Sequence, residues 1–337
     1  MISMTMTTTK ERSSGRGSRR SSKKESAQEA LLRGDEEMTQ HLINLFAQNI
    51  NPWRRDWTTY QARGEHRNLL TGTSYKGSNP AILELWMALR CYTHPLWIGA
   101  GQAKQHRWHP RKGTKGCAIL MPVKVSFNKR DEDGNELKDS DGNPIKSGYT
   151  TFKYTKIFNV HDIQGIDEEA QALLDDQILA ECDNNVQLTP TERLEGAERV
   201  LNNWSVPTTW NGNKAFYSHS EDTITMPTRD QFHTSEGMYS TWAHEQIHST
   251  GHSSRLKRDM SGPYGTTSYA REELVAELGA FLVCKRLQIS SDELNHVAYL
   301  KTWIEVLKEG PDVLRKALAD ASKAANLICE PEEDTVM

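Results

Sequence analysis

Residues 241–249 read Thr-Trp-Ala-His-Glu-Gln-Ile-His-Ser, and the rest of the chain is interpreted from the His244-Glu245-x-x-His248 pattern inside them. On a helix, residues four apart lie on one face. His244 and His248 then both reach one Zn²⁺ through bonds of about 2.0–2.1 Å. Glu245, beside the first of them, is placed to accept a proton from a water that the ion polarises. This is the chemistry of a zinc peptidase. Five residues with three fixed letters also recur by chance, and the alternative is an amphipathic helix with two surface histidines.

A third ligand decides between them. Residues 268–284, SYAREELVAELGAFLVC, carry Leu274, Leu278, Phe281 and Leu282 at helical spacing, with Ser268 as the expected N-cap. Glu273 and Glu277 share one face of that helix. One carboxylate can bind the ion while the other accepts the outer N–H of a ligating histidine, which fixes its tautomer. In the gluzincin order the ligand comes first and the supporting acid four residues later, which assigns Glu273 to the metal and Glu277 to its support. Ala276, Gly279 and Ala280 are small, as a closely packed helix needs. The metzincin pattern fails at its last position, Ser254, and His252 is a weaker candidate for the third ligand. One Zn²⁺ per chain is expected.

The chain has 337 residues, enough for two domains with ample core. Mean hydropathy is −0.70 and 26% of residues are charged. No apolar run approaches the roughly 20 residues of a membrane span, and the N-terminus shows no secretory signal. Cys91, Cys117, Cys182, Cys284 and Cys329 are scattered without a C-x-x-C pair, which fits reduced thiols in a cytosol. Residues 1–125 hold 20 Lys+Arg against 9 Asp+Glu, so the acidic excess lies entirely in the remainder. A basic half suits a polyanion.

The expected organisation is a disordered basic arm over 1–35, a nucleic-acid-binding domain over 36–165, a linker over 166–189, a second domain over 190–329 and an acidic tail over 330–337. The arm reads either as a solubilising tail or as a nucleic-acid contact. Helices are expected over 36–49, 80–92, 190–203, 294–309 and 311–328, and strands over 117–125 and 150–160. Residues 128–148 are read as an exposed hairpin insertion. Their repeated Asp-x-Asp-Gly-Asn places glycine at position four, where a calcium loop needs it at six, so turn chemistry is the better reading. Residues 215–227 read as two short strands, the second just ahead of the metal helix, where an extended substrate could pair by strand addition.

Several ordered segments then resemble one family. They are PW (52–53), NLLTGTSYKGSN (68–79), WIGAGQAK (97–104), RKGTKG (111–116), FNVHDIQG (158–165), DTITMP (222–227), HEQIHSTGHSSRL (244–256) and REELVAELGAFL (271–282). Together they resemble the ArdC-type antirestriction proteins of conjugative plasmids. The resemblance covers about residues 36–328 but not the basic arm, the 128–148 insertion or the acidic tail. It implies an α+β protein with a mixed α/β single-stranded-DNA-binding domain followed by a zincin-like metallopeptidase domain of gluzincin type. It also implies an unidentified protein substrate and action in the cytoplasm of a bacterium receiving DNA. His244, His248 and Glu273 match the family's metal positions, and Glu245 its catalytic acid/base. Gln246 and Ser249 depart from it, standing where apolar residues are more usual.

Single-strand binders combine a basic groove with aromatic platforms. Here Trp53, Arg54, Arg55, Tyr75, Lys76, Lys104, Trp108, Arg111, Lys112 and Lys115 are the candidate contacts, whereas Trp97 reads as core. Gly113 and Gly116 would let the backbone approach phosphates. Two functions compete. One is a DNA-tethered metallopeptidase. The other is a shield that coats the incoming strand and keeps a structural or vestigial zinc site. Three protein ligands favour catalysis, since structural sites are usually closed by four. A metallonuclease would need paired metals or carboxylate clusters, and none is evident.

Overall fold

The computed structural model describes residues 27–52, 65–131, 134–166, 172, 189–263, 265–289 and 297–329. The protein is mixed α+β. The first helix, α1 (Ala27–Ala47), starts inside the segment expected to be a disordered arm. Its Met38, Leu42 and Phe46 are buried at helical spacing, and Asp35 is buried against Arg315. Residues 1–26 lie outside the described residues.

Next come β1 (Arg67–Asn68), α2 (Asn79–Arg90), β2 (Leu96–Gly99), α3 (Ala100–Gln105) and β3 (His109–Pro110). Two long strands, β4 (Cys117–Asn128) and β5 (Lys146–Asn159), precede β6 (Ile163–Gln164). The main sheet has the order β1-β2-β5-β4, with β1 parallel to β2 and the other pairs antiparallel. Pro80 starts α2, where its missing N–H costs nothing, and Cys91 ends it in the left-handed region at φ 57°. Gly116 packs tightly on β5. A Cβ there would stand 3.0 Å from the Ile157 carbonyl and the Phe158 ring, so this glycine serves sheet packing rather than a phosphate. The insertion is turn chemistry, as read: the Asn135 and Asn143 backbone N–H groups donate to the carboxylates of Asp131 and Asp139, both at 2.8 Å. Gly134 and Gly142 supply the positive φ that each turn requires.

The second half opens with α4 (Pro190–Asn202), whose Thr189 and Glu192 form a capping box. Strands β7 (Thr208–Gly212), β8 (Phe216–Ser218) and β9 (Thr223–Pro227) make a sheet of order β7-β9-β8. The strand immediately before the metal helix, β9, is therefore internal, and the edge nearest the helix is β8. This reverses the expectation that the preceding strand offers the free edge. The chain closes with α5 (Ser235–Thr250), α6 (Thr267–Leu287), α7 (Val297–Lys308) and α8 (Val313–Cys329). Thr266 caps α6 by accepting from the Tyr269 N–H, a role expected of Ser268. Among the described residues no helix is long and apolar enough to cross a membrane.

One hydrophobic core joins the two halves. Met38, Leu42 and Phe46 of α1, and Ile82, Leu85 and Met87 of α2, belong to the same buried cluster as Trp242, Leu274, Trp303 and Leu318. The rings of Phe46 and Trp303 lie 5.7 Å apart. Arg315 of α8 grips Asp35 of α1 with two nitrogens and donates to the Ala118 carbonyl at 3.0 Å. Lys285 of α6 pairs with Glu84 of α2 at 3.0 Å. A smaller cluster of Leu69, Leu96, Ile98, Ala103, Trp108, Val160 and Ile163 is separate from this core.

Candidate metal centre

Helix α5 is not amphipathic. Every residue from Gly237 to Thr250 is buried, so the two histidines lie in the interior. An all-round buried helix must satisfy its polar side chains locally. Gln246 donates to the Leu201 carbonyl at 2.6 Å, and Ser249 donates to the Gln246 carbonyl while accepting the Trp204 indole N–H at 2.8 Å. The two departures from the family pattern thus anchor α5 to the end of α4. Thr234 caps the helix by accepting from the Gly237 N–H at 3.0 Å.

Helix α6 crosses α5 closely because Gly279 has no side chain. A Cβ there would stand 2.8 Å from the Ile247 side chain. That approach brings Glu273 up to the histidines. His244 Nε2 and His248 Nε2 are 3.1 Å apart, and Glu273 oxygens lie 3.7 and 3.4 Å from them. Donors held tetrahedrally at about 2.0–2.1 Å from one ion stand about 3.4 Å apart. The triangle fits one divalent ion, and the donor set of two imidazoles and a carboxylate suits it. His252 lies outside this group: its Nδ1 is 2.7 Å from the Ser254 hydroxyl and 3.9 Å from Asp222.

The outer nitrogens face carboxylates. His248 Nδ1 lies 3.2 Å from Glu272, and His244 Nδ1 lies 3.8 Å from Glu277. Sequence reasoning missed Glu272, which sits next to the ligand and just off the Glu273–Glu277 face. The adjacent pair Glu272-Glu273 was the available signal, since neighbours on a helix can reach the two sides of one imidazole. Arg258 holds Glu272 with two nitrogens at 2.9 and 2.7 Å, and also donates to Thr250 and to the Ile247 carbonyl. Burial opposes charge on His248, but the hydrogen bonds it donates to Glu272 and Glu273 overcome it and push its pKa up to about 10. Burial would raise Glu273, but its hydrogen bonds to both histidines hold it far below the usual carboxylate range. The pocket therefore favours positive charge between these groups, which a dication supplies.

Glu245 is buried on the same helix, and burial pushes its carboxyl up. The backbone of Tyr217, on β8, hydrogen-bonds to it. Tyr217 also donates its hydroxyl to Asp222 at 2.7 Å, and Arg255 pairs with Asp222. From the other half, the Asn51 amide reaches Glu277 at 3.4 Å.

The candidate DNA contacts are placed unevenly. Trp53, Arg54 and Arg55 lie outside the described residues. Lys76, Lys104, Arg111, Lys112 and Lys115 are exposed, with Lys115 paired to Glu37 at 2.9 Å. Tyr75 is half-buried against the main core. Trp108, expected on the surface, is only 6% exposed within the smaller cluster, and Trp97 is fully buried as read. Apolar neighbours cover Trp108, and no sequence periodicity marks them out, because they come from four separate short elements.

Residues 34–160 match the family described as the N-terminal domain of anti-restriction factor ArdC, and residues 195–320 match the family described as zincin-like metallopeptidase. A DNA primase TraC of Escherichia coli is 29% identical over 313 residues, which is 89% of this chain and 20% of that protein. A second protein of that name is 29% identical over 317 residues, or 27% of its length. The chain thus spans about a fifth to a quarter of these relatives. Uncharacterized protein y4eC of Sinorhizobium fredii (strain NBRC 101917 / NGR234) is 26% identical over 288 residues, 84% of this chain and 86% of that one. Crystal structures of the antirestriction ArdC protein from R388 plasmid, metal-free and Mn(II)-bound, share 26% and 27% identity with a TM-score of 0.58. Both cover 87% of this chain and 96% of theirs.

Proposed function

Since the chain belongs to the ArdC-type antirestriction proteins, with an ArdC N-terminal domain and a zincin-like metallopeptidase domain, we propose that it binds single-stranded DNA and hydrolyses peptide bonds of a protein met there. In this reading it protects DNA entering a bacterial cell from restriction. The observation that carries the peptidase is the buried donor triangle of His244, His248 and Glu273 with Glu245 beside it. Zn²⁺ is the proposed ion, on the donor set. When bound, it supplies a Lewis acid that polarises water and the scissile carbonyl.

The chain's own residues do the rest. Glu245 accepts the proton of the attacking water and returns it to the leaving amine, the usual exchange of a general base for a general acid. The Tyr217 backbone holds that carboxylate in place. Glu272 and Glu277 orient the two imidazoles so that their Nε2 atoms face inwards, and Arg258 orients Glu272. The edge strand β8 lies next to Glu245 and gives an extended substrate a strand to pair along. The exposed cations of 104–115, with no acidic residue among them, supply the phosphate contacts.

A second reading keeps the metal and drops the proteolysis: the chain coats the strand and blocks nucleases. What favours it is that the relatives named DNA primase carry the same span within longer chains, which ties the module to proteins that act on DNA. Against a purely structural metal stands the relative whose structure is known metal-free. Glu245→Gln separates the readings. It keeps both histidines and removes the proton acceptor, so cleavage of a protein substrate should fall about 10²–10⁴-fold while metal and DNA binding persist. Loss of protection against restriction at matched expression supports the peptidase, and full protection would leave only the shield.

A further inference from the structure

Among the described residues, the exposed aromatic rings of the N-terminal half lie mostly on the ribbon formed by β4 and β5. The two strands pair from Cys117↔Ile157 to Asn128↔Lys146. Only the first few pairs are buried in the sheet. From Met121 to Asn128, and from Lys146 to Lys153, the strands run on as a two-stranded ribbon open to solvent on both faces. A bare two-stranded ribbon is marginal in water, and exposed rings on it call for an occupant.

Residues directly opposite each other share a face. Val125 pairs with Tyr149, and Phe127 on the same face lies 6.3 Å from the Tyr149 ring. Tyr149 is 60% exposed and Phe127 48%. Phe152, 63% exposed, points to the opposite face beside Pro122. The two strands carry Lys124, Lys146, Lys153 and Lys156 and no Asp or Glu. None of the four lysines is ion-paired among the described residues. Acidic residues gather at the tip, where Asp131 and Asp139 spend their carboxylates on their own turns.

This chemistry selects the occupant. A second copy of the ribbon would bring like charges together. Duplex DNA hides its base faces. A single strand offers unstacked bases to the rings and phosphates to the ammonium groups, the two contacts on which single-strand binding is built. We infer that the β4–β5 ribbon is a stacking arm for single-stranded DNA, with Tyr149, Phe152 and Phe127 taking bases and Lys124, Lys146 and Lys153 taking phosphates. This rests on the proposal that the protein binds single strands. It moves the base platforms from the buried Trp108 to the ribbon, and the acidic tip keeps the strand on the stem.

The test uses the full chain and a fluorescein-labelled oligothymidylate, with anisotropy read over a salt series. Tyr149→Ser with Phe152→Ser should weaken binding at least about 30-fold, as expected for two lost stacked bases, with circular dichroism unchanged. Tyr149→Phe with Phe152→Tyr keeps both rings and should bind like the wild type. Lys124→Gln, Lys146→Gln and Lys153→Gln together should flatten the log–log salt slope by about 2, at about 0.7 per phosphate. Wild-type affinity in the ring variants, with the wild type binding tightly, overturns the ribbon and leaves the parent reading intact. No binding by the wild type at low salt sinks the parent reading and the ribbon with it. If the ring variants keep their DNA affinity but turn a wild-type dimer into a monomer in sedimentation, the occupant is a second copy and the inference is wrong.

Discussion

His66 and His248 each stand against a buried glutamate, one in each half of the molecule, and their second nitrogens meet opposite fates. His66 Nδ1 accepts the Trp97 indole N–H at 3.0 Å, which leaves Nε2 to donate to Glu84 at 3.1 Å. Lys285 takes the other oxygen of Glu84. Every polar atom there has a complementary neighbour, and the cluster is a closed brace between α2 and α6. His248 also gives one nitrogen to a glutamate, Glu272, but its other nitrogen faces His244 Nε2 and Glu273, two further donors to a cation. A ligand histidine is thus told from a structural one by what surrounds its second nitrogen, since burial and a glutamate partner are common to both.

Glu273→Ala breaks the open cluster most severely. Metal analysis of the purified variant should show near-complete loss of the ion, with the fold kept, and wild-type metal content would refute the ligand assignment. Glu84→Ala attacks the closed cluster and should leave metal content unchanged. It strands Lys285, whose side chain is 15% exposed, beside a buried cavity, so thermal or denaturant unfolding should lose about 3 kcal/mol. The acid limb of the stability profile sharpens this. Burial would raise Glu84, but Lys285 and then His66 pull it down to about 2. Its contribution, about 3 kcal/mol, is therefore complete above the ordinary carboxylate range near 4.5 and is lost as pH falls through about 2. Glu84→Gln should flatten stability between these limits, and an unchanged acid limb would show that the brace is not ionic. Glu272→Ala, behind a ligand, should weaken metal binding about 10–100-fold in a chelator competition. Gly279→Ala has the smallest expected effect, about 1–3 kcal/mol of stability from overpacking against Ile247, together with weaker metal binding as Glu273 is pushed back.

The metal residues were legible because their spacing is local: four residues within one helix, and small residues on the helix that must come close. Most helices followed from periodicity and caps, whereas the α+β class came with the family resemblance. What stayed hidden depends on distant partners. Asp35 looks like one charge in a polar opening stretch, and only Arg315, 280 residues away, explains its burial. Trp108 lies in a run of basic residues and reads as surface until β2, α3 and the turn around Val160 close over it. Gln246 and Ser249 looked like flaws in the metal helix, and the neighbouring α4 makes them anchors. The substrate edge was misplaced because strand order within a sheet is not written in strand sequence. Glu272 was overlooked because only the face shared by Glu273 and Glu277 was followed.

The seam between the halves also bears on how the chain holds together when it is cut. Phe46 against Trp303, Asp35 against Arg315 and Glu84 against Lys285 tie the first two helices to the last three without using the peptide that runs between them. Scission anywhere in 167–188 would leave the two pieces clasped as a nicked whole, and each piece alone would bare a greasy flank. For cohesion, the covalent connection is dispensable and the seam is not.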